Sequence, residues 1–462
     1  MRYISTRGKA PVLNFEEALL SGLARDGGLY VPETMPHITA DEQRALRGKS
    51  YEEIAVRVIK PFVGDTFDED TLAELITKAY AGFGHTARAP LKQLAPGHFL
   101  LELFHGPTLA FKDFAMQLIG QMFAHVLARR GERITIVTAT SGDTGSAAIE
   151  AFQNAAGVDV FVLYPDGRVS EVQRRQMTTP TAENVHALAI DGTFDDAQAR
   201  LKDMFNDFEF RDGVRLAGVN SINWARVLAQ VVYYFTSAFE LGAPDRPINF
   251  TVPTGNFGDV FAGYVAQHMG LPINKLYVAT NQNDILHRCL TTGAYDKGAV
   301  IPSISPSMDI QVSSNFERVL FDAYARDGQA VAQLMDELKQ GGFKISHNAL
   351  GYLNAIFGSG RVSEAETSAT IRDTLAASAE LLCPHSAVGV HVTNTNRYAT
   401  VPTITLATAH PAKFPDAVEA ATGIRPPLPS RMADLYERPE RITRVPNDLG
   451  ALETLVQERI NT

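Results

Sequence analysis

The middle of the chain alternates short β-branched segments with segments of helical periodicity, and this alternation restricts the possible folds more than any other feature. Arg133–Ala139 and Val158–Tyr164 are typical of buried strands and flank a predicted helix at Ser146–Ala155. Ile248–Val252 and Lys275–Ala279 flank a second predicted helix in the same way. Repeated strand–helix–strand units predict an α/β fold with mainly parallel, twisted sheets.

Further strands on either side of these units extend the same pattern. His98–Phe104 is a predicted strand, and the helix Phe111–Arg130 follows it, with Gly131 as a suitable C-cap. Thr403–Ala407 is the last predicted strand. Ligands of such folds bind at the carboxyl ends of the strands. The loops that follow these strands are therefore the candidate sites.

The size and charge of the chain exclude several classes of protein. Its 462 residues predict two to four domains, at roughly 100–200 residues each. A hydrophobic fraction of 45 % with 20 % charged residues excludes a largely disordered chain. The net charge of −10 argues against general binding of nucleic acid or of anionic membranes.

Cysteine usage and the N-terminus indicate a cytoplasmic protein. Cys289 and Cys383 are too few for a disulfide scaffold, which fits a reducing compartment. The sequence MRYISTRGKAP has no apolar core of the kind that secretory signals carry. No apolar stretch approaches the roughly 18 residues of a membrane span.

Pro253–Asp259 is a glycine-containing turn between a predicted strand and a predicted helix. Gly255 and Gly258 let backbone N–H groups approach a ligand closely, and a helix start adds unpaired N–H groups and a positive dipole end. The turn predicts a phosphate-binding site, with a plain tight turn as an equally weighted alternative. It matches neither GxxxxGK[ST] nor GxGxxG.

Ser141–Gly145 is a second loop of this kind, after the strand Arg133–Ala139. The hydroxyls of Ser141 and Thr144 can bind a carboxylate or a phosphate. Asp143 disfavours an anion, unless it accepts a hydrogen bond from a hydroxyl of the ligand. The alternative, a simple helix N-cap, weighs somewhat more on the pattern alone.

Lys112 occupies an unusual position, in the first turn of a predicted helix and among apolar residues. A helix start disfavours a cation, and apolar burial lowers the pKa of a lysine. A lysine so placed is a candidate nucleophile that forms an imine. The alternative is a lysine whose amine reaches past its apolar neighbours to solvent.

Two more segments offer groups that bind ligands. The segment Asn220–Arg226 is predicted to open a helix that Asn220 or Ser221 caps, and Arg226 can bind an anion through two hydrogen bonds. Thr408 follows the last strand, where its hydroxyl can hydrogen-bond a ring nitrogen. HExxH, CxxC and GxSxG motifs are absent from the sequence, so neither a metal site nor a serine hydrolase is predicted.

Taken together, nine segments resemble the threonine synthase family, whose members depend on pyridoxal phosphate and have the tryptophan-synthase-β-like fold (fold type II). They follow the family's order over nearly the whole chain: MRYISTRG, DGGLYVPE, FHGPTLAFKDF, TATSGDTGSAA, NSINWAR, PTGNFGD, PSMDIQVSSNFER, CPHSAVGV and ATAHPAKF. The long N-terminal unit resembles that of the microbial and fungal branch.

The resemblance implies how the chain is divided. We expect a mostly helical N-terminal unit at residues 1–93 and a smaller α/β domain at residues 131–244. The larger α/β domain binds the cofactor and is discontinuous, at residues 94–130 and 245–462. A monomer or a homodimer is expected.

The resemblance also implies pyridoxal 5'-phosphate as the cofactor and assigns residues to it. Lys112 matches the lysine that binds the cofactor covalently, and Thr408 matches the residue that faces the pyridine nitrogen. The loop for the cofactor phosphate matches Gly255, Asn256, Phe257, Gly258 and Asp259. Because a carboxylate repels a phosphate, Asp259 is expected to contribute through its backbone N–H.

Two groups of residues are implied for the substrate, O-phospho-L-homoserine. The loop under the substrate carboxylate and the cofactor ring hydroxyl matches Ser141, Gly142, Asp143 and Thr144. The residues that hold the substrate phosphate match Asn220, Ser221 and Arg226.

The implied reaction is γ-elimination of phosphate followed by addition of water at the β carbon, which yields L-threonine. Threonine dehydratase and cysteine synthase are alternatives within the same fold, but eliminations on serine or threonine need no phosphate site at Asn220–Arg226. A non-catalytic protein that binds phosphate esters is a further alternative, which the presence of Lys112 disfavours. A plain nucleotide-binding protein is the weakest reading.

Overall fold

The computed structural model describes residues 1–396 and 400–460, and it has an α/β fold with two mainly parallel sheets. The N-terminal part is mostly helical. Its two short strands, β1 (Tyr3–Ser5) and β2 (Tyr30–Pro32), form an antiparallel pair. Its helices are α1 (Phe15–Ser21), α2 (Ala40–Leu46), α3 (Tyr51–Val63) and α4 (Glu69–Tyr80). Each begins at a polar residue whose side chain accepts from the N–H three residues on, which explains locally why the helices start there.

The larger sheet has six strands in the order β13-β10-β9-β14-β4-β3, which are parallel except for β3 against β4. The strands are β3 (Leu91–Ala95), β4 (His98–Glu102), β9 (Ile248–Pro253), β10 (Ile273–Thr280), β13 (Phe357–Arg361) and β14 (Thr403–Ala407). The central strands β9 and β14 are buried along their whole length, as expected for a parallel sheet with both faces covered.

The smaller sheet has five parallel strands in the order β15-β7-β6-β5-β8. They are β5 (Ile134–Ala139), β6 (Val158–Pro165), β7 (Val185–Ile190), β8 (Leu216–Ala217) and β15 (Thr443–Val445). A separate antiparallel pair joins β11 (Ala294–Asp296) to β12 (Gly342–Lys344).

Helices cover the faces of both sheets. Those that follow the N-terminal part as far as the middle of the chain are α5 (Lys112–Arg130), α6 (Asp143–Phe152), α7 (Glu171–Thr178), α8 (Phe194–Asn206), α9 (Phe208–Gly213), α10 (Trp224–Glu240) and α11 (Gly258–His268). The later ones are α12 (Ile285–Thr292), α13 (Phe316–Ala323), α14 (Gly328–Lys339), α15 (His347–Ile356), α16 (Glu364–Ser378), α17 (Pro384–Asn396), α18 (Pro415–Thr422) and α19 (Leu449–Arg459).

Helix α10 connects the parts of the molecule. Its residues are buried from Trp224 to Phe239, and it packs against α3, α5 and α11. A helix that is buried on every side belongs in a core rather than on a surface. The N-terminal helices and the larger sheet therefore share one hydrophobic core.

The structure differs from the sequence prediction in several places. Strand β4 ends at Glu102, before Phe104, and helix α6 begins at Asp143 rather than at Ser146. Gly142 has a φ of +127° at that helix start, which lets the chain turn directly from loop into helix. The strand β15 and the helix α19 pack with the smaller sheet, although the sequence prediction grouped residues 245–462 with the larger one.

Within the described part of the chain, no helix is both long enough and apolar enough to cross a membrane. The two cysteines, Cys289 and Cys383, are buried and unpaired.

Candidate active site

A cavity of about 720 Å³ lies at the carboxyl ends of strands from both sheets. Ala139 at the end of β5 and Pro253 at the end of β9 line it, and Arg7 and Gly27 reach it from the N-terminal part. The residues predicted from sequence meet in its wall, with the exception of Gly142. Segments that are far apart in sequence thus converge on one space.

Lys112, the first residue of α5, presents its amine to this cavity. Its Nζ donates a hydrogen bond to Asp143 Oδ2 at 3.1 Å and lies 5.1 Å from the centre of the Phe111 ring. Burial lowers the pKa of Lys112; the charges of Arg226 and Lys413 act in the same direction, and Asp143 opposes them. The direction of this shift agrees with the prediction made from apolar flanking residues.

Asp143 forms ion pairs with two buried lysines. Its Oδ2 faces Lys112, and its Oδ1 lies 2.9 Å from Lys413 Nζ and accepts a hydrogen bond from Gln173 Nε2 at 2.9 Å. Burial alone favours the protonated acid, but Lys112 and Lys413 hold the pKa of Asp143 well below its ordinary value. One carboxylate and two ammonium groups together carry a net positive charge. Asp143 therefore does not prevent an anion from binding in this part of the cavity.

The loop that carries Asp143 is shaped by Thr140, whose Oγ1 accepts hydrogen bonds from the N–H groups of Gly142 and Gly145, both at 2.9 Å. A Cβ on Gly142 would lie 2.4 Å from the terminal amide of Gln173, which would have to move, and the positive φ of Gly142 by itself favours glycine. Gly142 therefore supports the loop from behind the cavity wall, while Ser141 and Thr144 line the cavity.

The start of α11 forms the predicted phosphate cradle. The hydrogen bond from Phe261 N–H to Phe257 O begins the helix, so the preceding N–H groups of Gly258 and Asp259 lack intrahelical acceptors. Both residues line the cavity. Phe257 itself adopts a left-handed conformation, with a φ of +63°.

Close packing also shapes this cradle. A Cβ on Gly255 would lie 2.5 Å from Ser307 O, so the turn approaches the neighbouring segment as closely as glycine allows. Asn256, the remaining residue of the turn, lines the cavity as well. Free N–H groups, a helix dipole and glycines are the features that bind phosphate at helix starts.

The side chain of Asp259 points to a pair of tyrosines. Its Oδ1 accepts hydrogen bonds from Tyr233 at 2.5 Å and from Tyr234 at 3.0 Å, whereas its Oδ2 is buried and has no hydrogen-bond partner among the described residues. Burial raises the pKa of Asp259 to about 7. A carboxyl that is about half protonated at pH 7 repels a neighbouring phosphate less than a fully ionised carboxylate does.

Arg226, in the first turn of α10, is the candidate ligand for a second anion. It is 4 % exposed, and its Nη1 donates to Val219 O at 3.2 Å. Burial lowers the pKa of Arg226 to about 10, and the guanidinium forms no ion pair within residues 1–396 and 400–460. A buried cation without a carboxylate partner beside a cavity is suited to an anionic ligand.

The start of α10 differs from the prediction that Asn220 or Ser221 caps it. The helix begins at Trp224, so Asn223 occupies the N-cap position and accepts from Ala225 N–H at 3.0 Å. Asn220 Oδ1 instead accepts from Thr138 Oγ1 at 2.8 Å. The side chains of Asn220 and Ser221 thereby remain in the cavity wall.

Thr408 directly follows β14 and is held by its backbone. Its N–H donates to Ser386 Oγ at 3.2 Å, and its carbonyl accepts from Phe111 N–H at 2.8 Å, next to Lys112. The neighbouring His385 also lines the cavity, and burial lowers its pKa to about 4, so its ring is neutral at pH 7. Its Nε2 accepts from Ser307 N–H at 3.2 Å.

The arrangement suits a phosphorylated aldehyde such as pyridoxal 5'-phosphate. A buried lysine amine, a helix start with unpaired N–H groups and a threonine after a central strand line one cavity. The first is the group that condenses with an aldehyde, and the second binds a phosphate.

Several residues of this region were not singled out from the sequence, namely Gln173, Ser307, Asn315, Arg318, His385 and Lys413. All but Gln173 fall in segments that carry the family resemblance, so the resemblance was the available signal. No local pattern distinguishes Lys413 as an ion-pair partner of Asp143, because the two are brought together only by the fold.

Comparison with known families accounts for nearly the whole chain. Residues 2–80 match the family "Threonine synthase N terminus", and residues 83–338 match "Pyridoxal-phosphate dependent enzyme". Residues 386–456 match "Threonine synthase, C-terminal".

Individual relatives cover the chain from end to end. A threonine synthase of Pseudomonas aeruginosa is 54 % identical over 100 % of this chain and 99 % of its own length. The crystal structure of a threonine synthase with bound pyridoxal phosphate from Brucella melitensis has a TM-score of 0.97 at 56 % identity, with both chains fully covered. The yeast threonine synthase structure has a TM-score of 0.93 at 39 % identity, covering 99 % of this chain and 98 % of its own. The chain therefore belongs to the pyridoxal-phosphate-dependent enzymes of fold type II and, among them, to the threonine synthase family.

Proposed function

We propose that this chain converts O-phospho-L-homoserine and water into L-threonine and phosphate, with pyridoxal 5'-phosphate as its cofactor. The observation that carries the proposal is the buried amine of Lys112 beside Asp143, in a cavity that also holds two separate candidate anion sites. A substrate and a cofactor that each carry a phosphate need two such sites. Full-length similarity to threonine synthases supports the same reaction.

Lys112 has two roles in this proposal, as the residue that binds the cofactor and as a base. Its lowered pKa increases the neutral fraction of the amine, which is the form that attacks an aldehyde and accepts a proton. Once free, the amine moves protons at the α and β carbons of the substrate. When bound, the cofactor supplies an electron sink for the negative charge that develops on the substrate.

The anion sites divide the two phosphates between them. The cofactor phosphate is assigned to the start of α11, with the residues Gly255, Asn256, Phe257, Gly258 and Asp259. The substrate phosphate is assigned to Asn220, Ser221 and Arg226, where the unpaired guanidinium favours a dianion. The two sites lie on different elements, so both can be filled at once.

The remaining residues orient the rest of the ligands. The substrate carboxylate and the ring hydroxyl of the cofactor are assigned to Ser141, Asp143 and Thr144, and Gly142 supports their loop. The lowered pKa of Asp143 keeps it ionised, so it would accept a hydrogen bond from the ring hydroxyl. Thr408 is assigned to the pyridine nitrogen of the cofactor, and a hydroxyl there, unlike a carboxylate, would leave that nitrogen less protonated.

Incubation of the purified holoenzyme with O-phospho-L-homoserine tests the proposal. We expect phosphate and L-threonine to appear in equal amounts. Release of 2-oxobutanoate without threonine would instead indicate a dehydratase. Binding of the phosphate ester without any product would indicate a non-catalytic binding protein.

Substitution of Lys112 tests its assigned role. Lys112→Ala should abolish turnover and prevent borohydride from attaching the cofactor to the chain, because no amine remains to bind it. Lys202→Ala is the matched control, since Lys202 also lines the cavity but is exposed, whereas the ion pairs of Asp143 are with Lys112 and Lys413. Turnover by Lys112→Ala close to that of the control would exclude Lys112 as the essential lysine.

We also propose the domain division expected from sequence, with one change. Residues 1–93 form the N-terminal unit, and residues 131–244 form the smaller domain. The larger domain consists of two segments, residues 94–130 and the chain from residue 245 onwards. The pairing of β15 with β7 favours assigning residues 443–460 to the smaller domain. A biosynthetic role and two buried thiols are consistent with action in the cytoplasm.

A further inference from the structure

The segment Ser313–Asn315 lies between the two candidate anion sites and touches both. Ser313 Oγ donates to Gly255 O at 2.6 Å, in the turn assigned to the cofactor phosphate. Ser314 Oγ lies 3.4 Å from Ser221 Oγ, in the segment assigned to the substrate phosphate. The catalytic proposal assigns no role to these residues, which lie in the segment PSMDIQVSSNFER.

Asn315 makes the strongest of these contacts. Its Nδ2 donates to Ser221 O at 2.9 Å and to Asn256 O at 3.0 Å, and its backbone N–H also donates to Asn256 O at 3.0 Å. Both N–H groups of one side-chain amide are therefore used, one on each anion-binding segment. The side chain is fully buried, so these bonds do not compete with bulk water.

Arg318 determines which way this amide faces. Its Nη1 donates to Asn315 Oδ1, and its Nε donates to Tyr30 O at 3.1 Å. A guanidinium has donors only, so the oxygen of the amide must face Arg318 and the NH₂ group must face the two carbonyls. Arg318 is completely buried and also donates to Ile222 O, next to Ser221.

The contacts of Asn315 with the two loops prevent its side chain from capping its own helix. Asn315 is the N-cap residue of α13, yet its side chain makes no capping hydrogen bond. An asparagine at this position ordinarily stabilises its own helix by accepting a hydrogen bond from one of the first N–H groups. Here the amide is used on two neighbouring loops instead.

We propose that Asn315 is a positioning residue that fixes the separation of the two anion-binding segments, and that Arg318 fixes the orientation of its amide. This inference rests on the assignment of those segments to the cofactor phosphate and the substrate phosphate. It extends that assignment, because the two sites become mechanically coupled through one side chain. Loss of the amide should therefore weaken both sites together.

Two variants of Asn315 test the coupling. Asn315→Asp keeps the shape and the contact with Arg318 but removes both donors, and Asn315→Ala removes the donors without adding a charge. We expect each variant to retain the cofactor about tenfold less well and to bind inorganic phosphate about tenfold more weakly. Cofactor retention is measured from the absorbance of the bound cofactor after dilution of the holoenzyme. Phosphate affinity is measured from the change in that absorbance when inorganic phosphate is added.

Asn184 provides a matched control. Its Nδ2 also donates to two backbone carbonyls, Phe152 O at 2.9 Å and Val158 O at 2.8 Å, but it lies away from the cavity. Asn184→Ala should lower the melting temperature and leave both affinities unchanged. An Asn315 variant that behaves like this control, or that weakens only one of the two sites, would overturn the proposal.

The readouts separate this inference from the proposed function. Both affinities are measured without turnover, so a wild-type protein that forms no threonine would contradict the reaction and leave the coupling testable. Conversely, normal affinities in both Asn315 variants would contradict the coupling even if the wild-type protein forms threonine. If Asn315→Ala does not fold, the nearly isosteric Asn315→Asp still decides the matter.

Discussion

At the residue scale, Asp143 compensates two buried ammonium groups, those of Lys112 and Lys413, each through one oxygen. Breaking a buried ion pair by removing one partner leaves a charge without compensation, which is far more costly than losing a surface pair. Because the same carboxylate is the ion-pair partner of both lysines, removing it leaves two buried positive charges without compensation.

Asp143→Asn should therefore lower the free energy of unfolding by about 3 kcal/mol at pH 7, as measured by urea denaturation. Because the pKa of Asp143 is lowered by folding, its contribution is complete above the unfolded value of about 3.9 and is lost as the pH falls through the folded-state value. The difference between variant and wild type should accordingly shrink in acid.

Asp245→Asn is a suitable control for this variant. Asp245 also pairs with two cations, Arg44 and Arg47, but on the surface, where water screens the charges. Its loss should have a much smaller effect. Equal destabilisation by the two substitutions would contradict the role given to Asp143.

Asp259 should show the opposite dependence on pH. Its pKa is raised to about 7 in the folded protein, against about 3.9 in the unfolded chain. Between these values the unfolded chain releases a proton that the folded chain keeps, so this carboxyl opposes folding increasingly as the pH rises to 7. Asp259→Asn, which stays neutral, should gain stability relative to the wild type from pH 5 to pH 7.5 in urea denaturation.

Asp245→Asn is also a suitable control for Asp259→Asn. Asp245→Asn should show a flat difference over this range, because the pKa of Asp245 is lowered and its carboxyl is ionised in both states. A flat difference for Asp259→Asn as well would mean that its carboxyl is already ionised in the folded protein.

The sequence supports predictions at single positions where the signal is local, and fails where it is not. Lys112 stands out because its apolar neighbours and the helix start are adjacent to it in the chain. Lys413, which shares Asp143 with Lys112, has no such local signal. The contacts of Tyr233 and Tyr234 with Asp259 could not be predicted from sequence either, because the tyrosines belong to a different helix.

At the element scale, the start of α11 depends on the space available at Gly255. A Cβ there would lie 2.5 Å from Ser307 O, a backbone atom that cannot move independently of its segment. Gly255→Ala should displace the turn and weaken cofactor binding about tenfold or more. The absorbance of bound cofactor, followed during dilution of the holoenzyme, measures this loss.

Gly351→Ala is the control for this glycine. Gly351 lies inside α15 with open space around the position of a Cβ, so alanine should leave cofactor binding unchanged and stabilise the helix by about 0.5–1 kcal/mol. Unaltered cofactor binding in Gly255→Ala would show that Ser307 moves aside.

Elements with regular periodicity were predicted well. Thr403–Ala407 was predicted as a strand with the bounds that β14 has, and Gly131 caps α5 in a left-handed conformation as predicted. The predicted bounds are wrong where several neighbouring residues could each begin or end the element. At α10, for example, Asn220, Ser221 and Asn223 all suit an N-cap, and only tertiary packing decides that Asn223 is used.

At the scale of the whole molecule, the C-terminal segment stabilises the smaller sheet. Leu452 of α19 is completely buried in a cluster with Leu188 of β7 and Val445 of β15. Leu452→Ala should lower the free energy of unfolding by about 2–5 kcal/mol. It should also speed hydrogen exchange of β7 amides while leaving β9 in the larger sheet unaffected.

Gln457→Ala, on the exposed face of the same helix, controls for helix propensity and should leave stability nearly unchanged. If Leu452→Ala accelerated exchange in β9 as much as in β7, the C-terminal segment would stabilise the molecule as a whole rather than the smaller sheet. This long-range pairing was not predictable from sequence, because a three-residue strand carries little signal about its partner.

The position of β14 has a consequence for how the protein is made. β14 is inserted between β9 and β4, so it joins two groups of strands that are otherwise not hydrogen-bonded to each other. A growing chain that has not yet been translated past residue 407 cannot complete this sheet. From the synthesis of Pro253 until that of Thr403, β4 and β9 must each expose the edge that β14 later fills. A polypeptide released early at this stage would present two unpaired edges, which are templates for aggregation.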